Sequence, residues 1–114
     1  MENCLFCKII RGEIPSAKVY EDEYCYAFRD INPQMPVHIL VVPKKHIENI
    51  SGISEADIEI AGRIQLAIAE IAEQEGLKER GFRVISNCGK DAAQSVFHLH
   101  YHILGGAEMA ERMV

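Results

Sequence analysis

The chain has 114 residues, of which 48% are apolar and 25% charged, and its formal net charge at pH 7 is −5. This length predicts one globular domain over residues 1–114, because it is enough to bury a core and too short for two cores. The acidic balance argues against nucleic acid or an anionic membrane as the main partner, although a small phosphorylated ligand stays compatible with it.

The N-terminal stretch MENCLFCKIIRGEIP has charges on both sides of a short apolar run. It predicts a short helix that ends at Gly12 and Pro15, and it does not have the pattern of a signal peptide. No segment has the length of a membrane span, so we expect a cytoplasmic protein. The four cysteines are then expected to be reduced thiols or metal ligands.

The rest of the chain predicts strands around one long helix. AKVYED, EYCYAFRD and VHILVVP each predict a strand, and so do GFRVISN and FHLHYHIL after the helix. The helix is predicted from about Glu55 to Glu75, with Ser54 as N-cap, Asp57 closing a capping box and Gly76 as the stop. These elements predict an α+β fold, with a five-stranded, mainly antiparallel sheet, one long helix and a short N-terminal helix. A parallel sheet is less favoured, because only one long helix is available for crossovers.

HLHYHILGG, at residues 98–106, holds three of the five histidines at alternate positions. In a strand, His98, His100 and His102 would share one face. Same-face neighbours lie about 6.6 Å apart, so the outer pair would be about 13 Å apart, too far for one ion to bind all three. The sequence then leaves two interpretations, a polar strand face or an imidazole that attacks phosphorus beside its imidazole neighbours.

The pair Cys4 and Cys7 has the spacing CxxC. Such a pair is compatible with a redox dithiol, with half of a zinc site or with two ordinary thiols. A self-contained zinc ribbon is excluded, because no second pair of this kind is present.

HLHYHILGG fits the motif of the histidine triad (HIT) superfamily, His-φ-His-φ-His-φ-φ with φ apolar, at every position. KIIRGEIPSAKVYEDE, AFRDINPQMPVHILVVPKKHI and QSVFHLHYHILGG resemble its purine nucleoside phosphoramidase branch, over roughly residues 3–106. His102 stands where the related nucleotidyltransferases have glutamine, and Ser95 where the dinucleoside polyphosphate branch usually has threonine. Both positions agree with the phosphoramidase branch.

The resemblance implies hydrolysis of purine nucleoside 5′-phosphoramidates, which are amides of AMP or GMP, through a covalent nucleotidyl-histidine. His100 would be the nucleophile, His102 would contact the phosphate and assist at the leaving group, and His38 would support the nucleophilic imidazole. Ser95 would hydrogen-bond the phosphate or the departing amine, and Asp30 would bind the ribose hydroxyls. The implied base pocket comprises Phe6, Ile9, Ile14, Phe28 and Ile31, and the implied phosphate cradle comprises Asn87, Gln94 and the Ser95 backbone.

The resemblance also implies a structural zinc ion, which the chemistry itself would not need. Its ligands would be Cys4, Cys7, His46 and His98, the ligand set of a closed tetrahedral site. His98 would then serve the metal, so we expect a bulge or twist between it and His100.

A homodimer is predicted as well. The long helix and the strands at 82–86 and 97–104 offer more apolar surface than a five-stranded sheet covers, and the resemblance implies a two-fold dimer that joins two sheets and buries the helices. The helix residues behind this prediction are Ile58, Ile64, Ile68 and Ile71.

Three other functions stay open at this point. The first is a dinucleoside polyphosphate hydrolase of the same superfamily, and the second is a purine-nucleotide-binding module with little turnover. The third is a redox dithiol protein that uses Cys4 and Cys7.

Overall fold

The computed structural model describes residues 3–114, so residues 1 and 2 of the predicted domain lie outside the described part. Its helices and strands are, in chain order, α1 (Leu5–Ile10), β1 (Lys18–Glu21), β2 (Cys25–Arg29), β3 (Val37–Pro43), α2 (Ile58–Gln74), β4 (Arg83–Ile85) and β5 (Tyr101–Gly105). The strands form one antiparallel sheet in the order β1-β2-β3-β5-β4. The predicted α+β fold is therefore confirmed.

The central strands β2 and β3 are buried on both faces of the sheet. Because side chains alternate along a strand, they feed two separate apolar clusters. The larger cluster packs against α2 and the smaller one against α1. The buried members of the smaller cluster are Phe6, Ile9, Tyr26, Phe28, Leu40 and Val42.

The start of the long helix follows the predicted capping box. The backbone N–H of Ser54 donates to Asp57 Oδ2 over 3.0 Å, and Lys45 Nζ donates to Asp57 Oδ1 over 2.6 Å. The first turn, Glu55–Asp57, is a 3-10 turn, and α2 proper begins at Ile58. No helix within residues 3–114 is long and apolar enough to cross a membrane.

We predicted that four isoleucines of this helix leave apolar surface that the sheet does not cover. For three of them this prediction is wrong. Ile64, Ile68 and Ile71 are buried against the sheet of the same chain, whereas Ile58 is 69% exposed. Leu66, at 64% exposure, is the other large apolar residue of α2 that is exposed.

The last strand is shorter than predicted, and this changes the arrangement of the histidines. Strand β5 pairs with β3 from Val37 opposite Gly105 to Val41 opposite Tyr101. Before Tyr101 the chain leaves β3, and the N–H of Leu99 donates to the Ile47 carbonyl over 2.6 Å. His98 and His100 therefore precede the strand, and the expectation that three histidines share one strand face is wrong.

Candidate active site and metal centre

Two of the triad rings are fixed by backbone carbonyl groups. His98 Nε2 lies 2.8 Å from the Pro43 carbonyl oxygen, and His100 Nδ1 lies 2.7 Å from the His98 carbonyl oxygen. Because a carbonyl oxygen only accepts, each of these ring nitrogens carries the proton. In the neutral rings the lone pair is then on His98 Nδ1 and on His100 Nε2.

The third ring is fixed through His38. The backbone N–H of Gln34 donates to His38 Nδ1 over 3.0 Å, so His38 carries its proton on Nε2. That nitrogen lies 2.9 Å from His102 Nδ1, which must accept the hydrogen bond. His102 is thereby left with Nε2–H as its remaining donor. The sequence-based expectation had His38 beside the nucleophile His100, whereas its hydrogen bond goes to His102.

Burial keeps these rings neutral. It lowers the pKa of His102 to about 4, and the neighbouring His100 and His38 add to the shift while Asp30 opposes it. Burial likewise lowers the pKa of His38, and Asp30, whose Oδ2 lies 3.4 Å from His38 Nε2, acts in the opposite direction. Since burial favours the neutral form of both rings, it favours the hydrogen-bond chain from Gln34 to His102 at pH 7.

The histidines face a polar chamber of about 410 Å³. Ser95 and Asp30 lie in its wall, so the structure brings together the predicted nucleophile, the predicted phosphate ligand His102 and the predicted ribose ligand. The chamber residues are Phe6, Asp30, Asn32, Gln34, His38, Leu40, Ser95, Val96, His100 and His102. We call it the histidine chamber.

An apolar cavity of about 390 Å³ adjoins the histidine chamber, and Phe6, Asp30 and Leu40 line both. The ring of Phe6 packs edge-on against Phe28, with centroids 5.5 Å apart, and against His100, with centroids 5.1 Å apart. Ile31 is 91% exposed and lies at the rim of the cavity. The five residues predicted for a base pocket, Phe6, Ile9, Ile14, Phe28 and Ile31, all line this cavity.

The predicted phosphate cradle is only partly assembled. The buried amide of Gln94 uses its two N–H groups for the Glu48 and Val96 carbonyls, and its oxygen accepts from the Gly89 N–H and the Asn49 amide. Its side chain holds the loop around it and has no donor left for a phosphate. Neither cavity has Asn87 in its lining.

Sequence reasoning missed several residues of the site. The backbone N–H of Gln34 selects the tautomer of His38, and Leu40 and Val96 line the histidine chamber. The turn NPQMP before β3 was the one available signal for Gln34, because asparagine and proline mark a turn there. Nothing in the sequence distinguishes Leu40 or Val96 from other core residues.

Four metal-ligating atoms meet beside the chamber. The sulfur atoms of Cys4 and Cys7 and the Nδ1 atoms of His46 and His98 all lie within 4.8 Å of one another. The Cys4–His98, Cys7–His46 and Cys7–His98 separations are 3.3, 3.4 and 3.5 Å. Zinc at about 2.3 Å from sulfur and about 2.0 Å from nitrogen in a tetrahedron would set these atoms about 3.5 Å apart. The cluster therefore has the dimensions of a zinc site.

The surroundings of the cluster also fit a cation. His98 gives its Nε2–H to the Pro43 carbonyl, which directs the lone pair of Nδ1 toward the two sulfur atoms. Burial raises the pKa of the Cys7 thiol to about 11, and the adjacent Cys4 adds to the shift. A buried thiolate pair is costly without a positive charge nearby, and a bound divalent cation would supply that charge.

Comparisons with known proteins agree with this architecture. The family model for the HIT domain matches residues 11–109. The purine nucleoside phosphoramidase of Escherichia coli K12 is 47% identical over 105 residues, which cover 92% of this chain and 88% of the relative. A HIT family hydrolase from Clostridium thermocellum superposes with a TM-score of 0.97 at 50% identity, covering 100% of this chain and 99% of the other. A histidine triad protein from Clostridium difficile superposes with a TM-score of 0.95 at 50% identity, covering 99% and 98%.

Proposed function

The chain belongs to the HIT domain family, and we propose that it hydrolyses purine nucleoside 5′-phosphoramidates through a covalent nucleotidyl-histidine intermediate. It is an enzyme, a HIT family hydrolase. The identity to the Escherichia coli phosphoramidase supports a nucleotide-type substrate with a P–N bond. The single observation that carries the proposal is that His100 Nε2 holds a lone pair in a chamber that also contains Ser95 and His102.

The nucleoside would occupy the apolar cavity beside the histidine chamber. Phe6 and Phe28 offer flat apolar faces to a purine, and Ile31 would close over it from the rim. Asp30 lies in the walls of both cavities, where the ribose would pass from one into the other. Its carboxylate can accept from two hydroxyl groups. The phosphorus would then lie in the histidine chamber, within reach of His100.

The first chemical step would be attack by His100 Nε2 on phosphorus. A bond forms between Nε2 and phosphorus, the bond from phosphorus to the amine nitrogen breaks, and the amine leaves with a proton drawn from water through the Ser95 hydroxyl. The His100 Nδ1–H stays on the His98 carbonyl, which stabilises the positive charge that develops on the ring. The hydroxide left by that water then attacks phosphorus, breaks the bond to His100 and releases the nucleoside monophosphate.

In this mechanism, His102 acts as a neutral donor. Its Nδ1 accepts from His38, so Nε2–H is available for a phosphate oxygen on which negative charge develops. A doubly protonated His102 would require His38 to accept at Nε2 and to give up its hydrogen bond from Gln34. We therefore assign His102 to charge stabilisation and Ser95 to proton delivery.

Cys4, Cys7, His46 and His98 would hold a structural zinc ion, which supplies a cross-link between the N-terminal helix and the triad. His98 would thereby bind metal, while His100 attacks and His102 binds phosphate. No chemical step needs the ion, because the lone pair on His100 is set by a backbone carbonyl. We also propose a cytoplasmic location, where cysteines are kept as thiols or metal ligands.

The proposed assembly is a two-fold homodimer of one HIT domain per chain, residues 1–114. The support for it is an exposed stripe on α2, where Ile58, Gly62 and Leu66 recur at every fourth position. A small residue at Gly62 lets a second helix approach closely. We infer that these residues form part of the interface between the two chains.

A rapid-quench experiment tests the proposed function. Enzyme mixed with adenosine 5′-phosphoramidate and quenched early should carry one added AMP on the peptide that contains His100, and His100→Ala should lose this adduct. An adduct that survives in His100→Ala would overturn the assignment. Faster turnover of a diadenosine polyphosphate than of the phosphoramidate, or tight AMP binding without any burst, would overturn the proposed substrate class.

A further inference from the structure

A second recess lies beside the histidine chamber, on the side of the N-terminal helix. It has a volume of about 390 Å³ and shares Ser95 and Val96 with the chamber. The residues that line it are Asn3, Cys4, Leu5, Ser95, Val96 and Phe97. We call it the side recess.

The walls of the side recess are held together by the metal-ligating cluster. Cys4 Sγ lies 3.3 Å from His98 Nδ1, and the chain neighbours of these two residues are Leu5 and Phe97. Contact between Cys4 and His98 therefore brings Leu5 and Phe97 to one recess from two distant parts of the chain. Leu5 is 42% exposed and Phe97 is 53% exposed. Two large apolar side chains beside the histidine chamber are therefore partly exposed to solvent.

We propose that the side recess binds the substituent of the leaving amine and that it selects amines with an uncharged apolar group. This inference rests on the proposed function. The nucleoside cavity shares Phe6, Asp30 and Leu40 with the histidine chamber, whereas the side recess shares Ser95 and Val96 with it. Leu5 lines both the nucleoside cavity and the side recess. A phosphorus atom in the chamber would therefore border the nucleoside cavity at one group of wall residues and the side recess at another. Ser95, which would deliver the proton to the amine nitrogen, stands at the entrance.

The composition of the side recess sets the class of substituent. Among the described residues, none of those that line it is Asp, Glu, Lys or Arg, and the sulfur of Cys4 would face the metal. A cationic aminoalkyl group would find no carboxylate among the lining residues within 3–114, and it would lose hydration without compensation from them. An aryl or alkyl group would instead cover Leu5 and Phe97 and remove their apolar surface from water.

Three adenosine phosphoramidates test this inference, with benzylamine, with 1,3-diaminopropane or with ammonia as the amine. The readout is kcat/KM for the benzyl substrate divided by kcat/KM for the unsubstituted one, which cancels effects on the shared nucleoside. Phe97→Ala should lower this ratio roughly tenfold, the equivalent of about 1.4 kcal/mol, and Leu5→Ala should lower it in the same direction. The wild-type enzyme should prefer the benzyl compound to the aminopropyl compound. Ile50→Ala serves as the matched control, because Ile50 is 43% exposed and outside the recess.

The outcomes separate the two proposals. If no wild-type turnover of the unsubstituted phosphoramidate is seen, the proposed function fails and with it the inference. If that substrate is turned over but Phe97→Ala and Leu5→Ala leave the ratio where Ile50→Ala leaves it, the side recess does not bind the substituent. A wild-type preference for the aminopropyl compound would overturn the proposed selectivity.

Discussion

His38 Nε2 lies 2.9 Å from His102 Nδ1, and this hydrogen bond determines which nitrogen of His102 can donate into the histidine chamber. The direction of the bond is set by a backbone group, because the Gln34 N–H occupies the other nitrogen of His38. A main-chain turn thus selects a tautomer two rings away. The same logic, with backbone carbonyls as acceptors, fixes His98 and His100.

Removing His38 should lower the rate of catalysis while substrate binding is retained. In His38→Ala, His102 Nδ1 loses its donor and the ring can adopt either tautomer, so kcat should fall about tenfold to a hundredfold while KM changes little. His38→Gln, whose side-chain amide keeps an N–H, should recover part of that loss. The measurement is steady-state kcat and KM of the wild type and both variants on one phosphoramidate. If His38→Ala and His38→Gln are equally impaired, the hydrogen bond to His102 is not the reason.

The buried His102 should make the fold sensitive to acid. Its pKa is about 4 in the folded chain, against 6.5 for an ordinary histidine. Below about pH 6.5 the ring binds a proton in the unfolded chain but not in the folded chain. The stability that the neutral ring contributes is therefore complete above pH 6.5, and the free energy of unfolding falls as the pH drops toward 4. Thermal melts should therefore show a steeper loss of Tm between pH 7 and 4.5 in the wild type than in His102→Asn. Parallel curves would contradict this, and protonation of the metal-ligating residues affects both proteins alike.

The features of the fold and the site that could be predicted from the sequence are those that neighbouring residues determine. The features that depend on contacts with distant backbone groups could not be predicted. The strands VHILVVP and EYCYAFRD and the capping box at Ser54 and Asp57 are local patterns, and they are confirmed. The strand FHLHYHIL was predicted too long, because the Leu99 N–H goes to the Ile47 carbonyl, a contact that no local pattern indicates. The partner of His38 was missed for the same reason, since it depends on the register between β3 and β5.

Gln94, predicted to bind phosphate, has a side chain whose hydrogen bonds are all made within the protein. Its four hydrogen bonds join the loop that carries Ser95 to Glu48, Asn49 and Gly89. Gln94→Ala should lower the free energy of unfolding by about 2–3 kcal/mol, because buried backbone groups lose their partners. Gln65→Ala, at an exposed position of α2, is the matched control and should cost little. A Gln94→Ala protein of unchanged stability but strongly raised KM would restore the predicted contact with phosphate.

The stripe of Ile58, Gly62 and Leu66 predicts the oligomeric state. Sedimentation equilibrium at micromolar concentration should give twice the chain mass of 12.8 kDa. Leu66→Glu places a charge on this stripe and should shift the protein toward the monomer, because burial of an unpaired carboxylate is costly. Ile50→Glu, at an exposed apolar position away from α2, should remain dimeric. A wild-type monomer at this concentration would refute the predicted dimer.

The metal centre gives the last prediction. Elemental analysis of protein prepared without chelators should find about one zinc per chain, since Cys4, Cys7, His46 and His98 complete a tetrahedral ligand set. Cys4→Ala removes one ligand and releases the start of α1, which Cys4 caps. The free energy of unfolding should fall by about 2 kcal/mol or more, and Tm should drop by roughly 10 °C. Turnover at a temperature where the variant is folded should change less, because the lone pair of His100 depends on the His98 carbonyl rather than on the metal.

Cys88→Ala is the matched control, since Cys88 contacts Ser51 away from the cluster and its loss should leave the zinc content unchanged. A zinc-free wild type with the Tm of the zinc-loaded protein would show that these four residues are not a structural metal site.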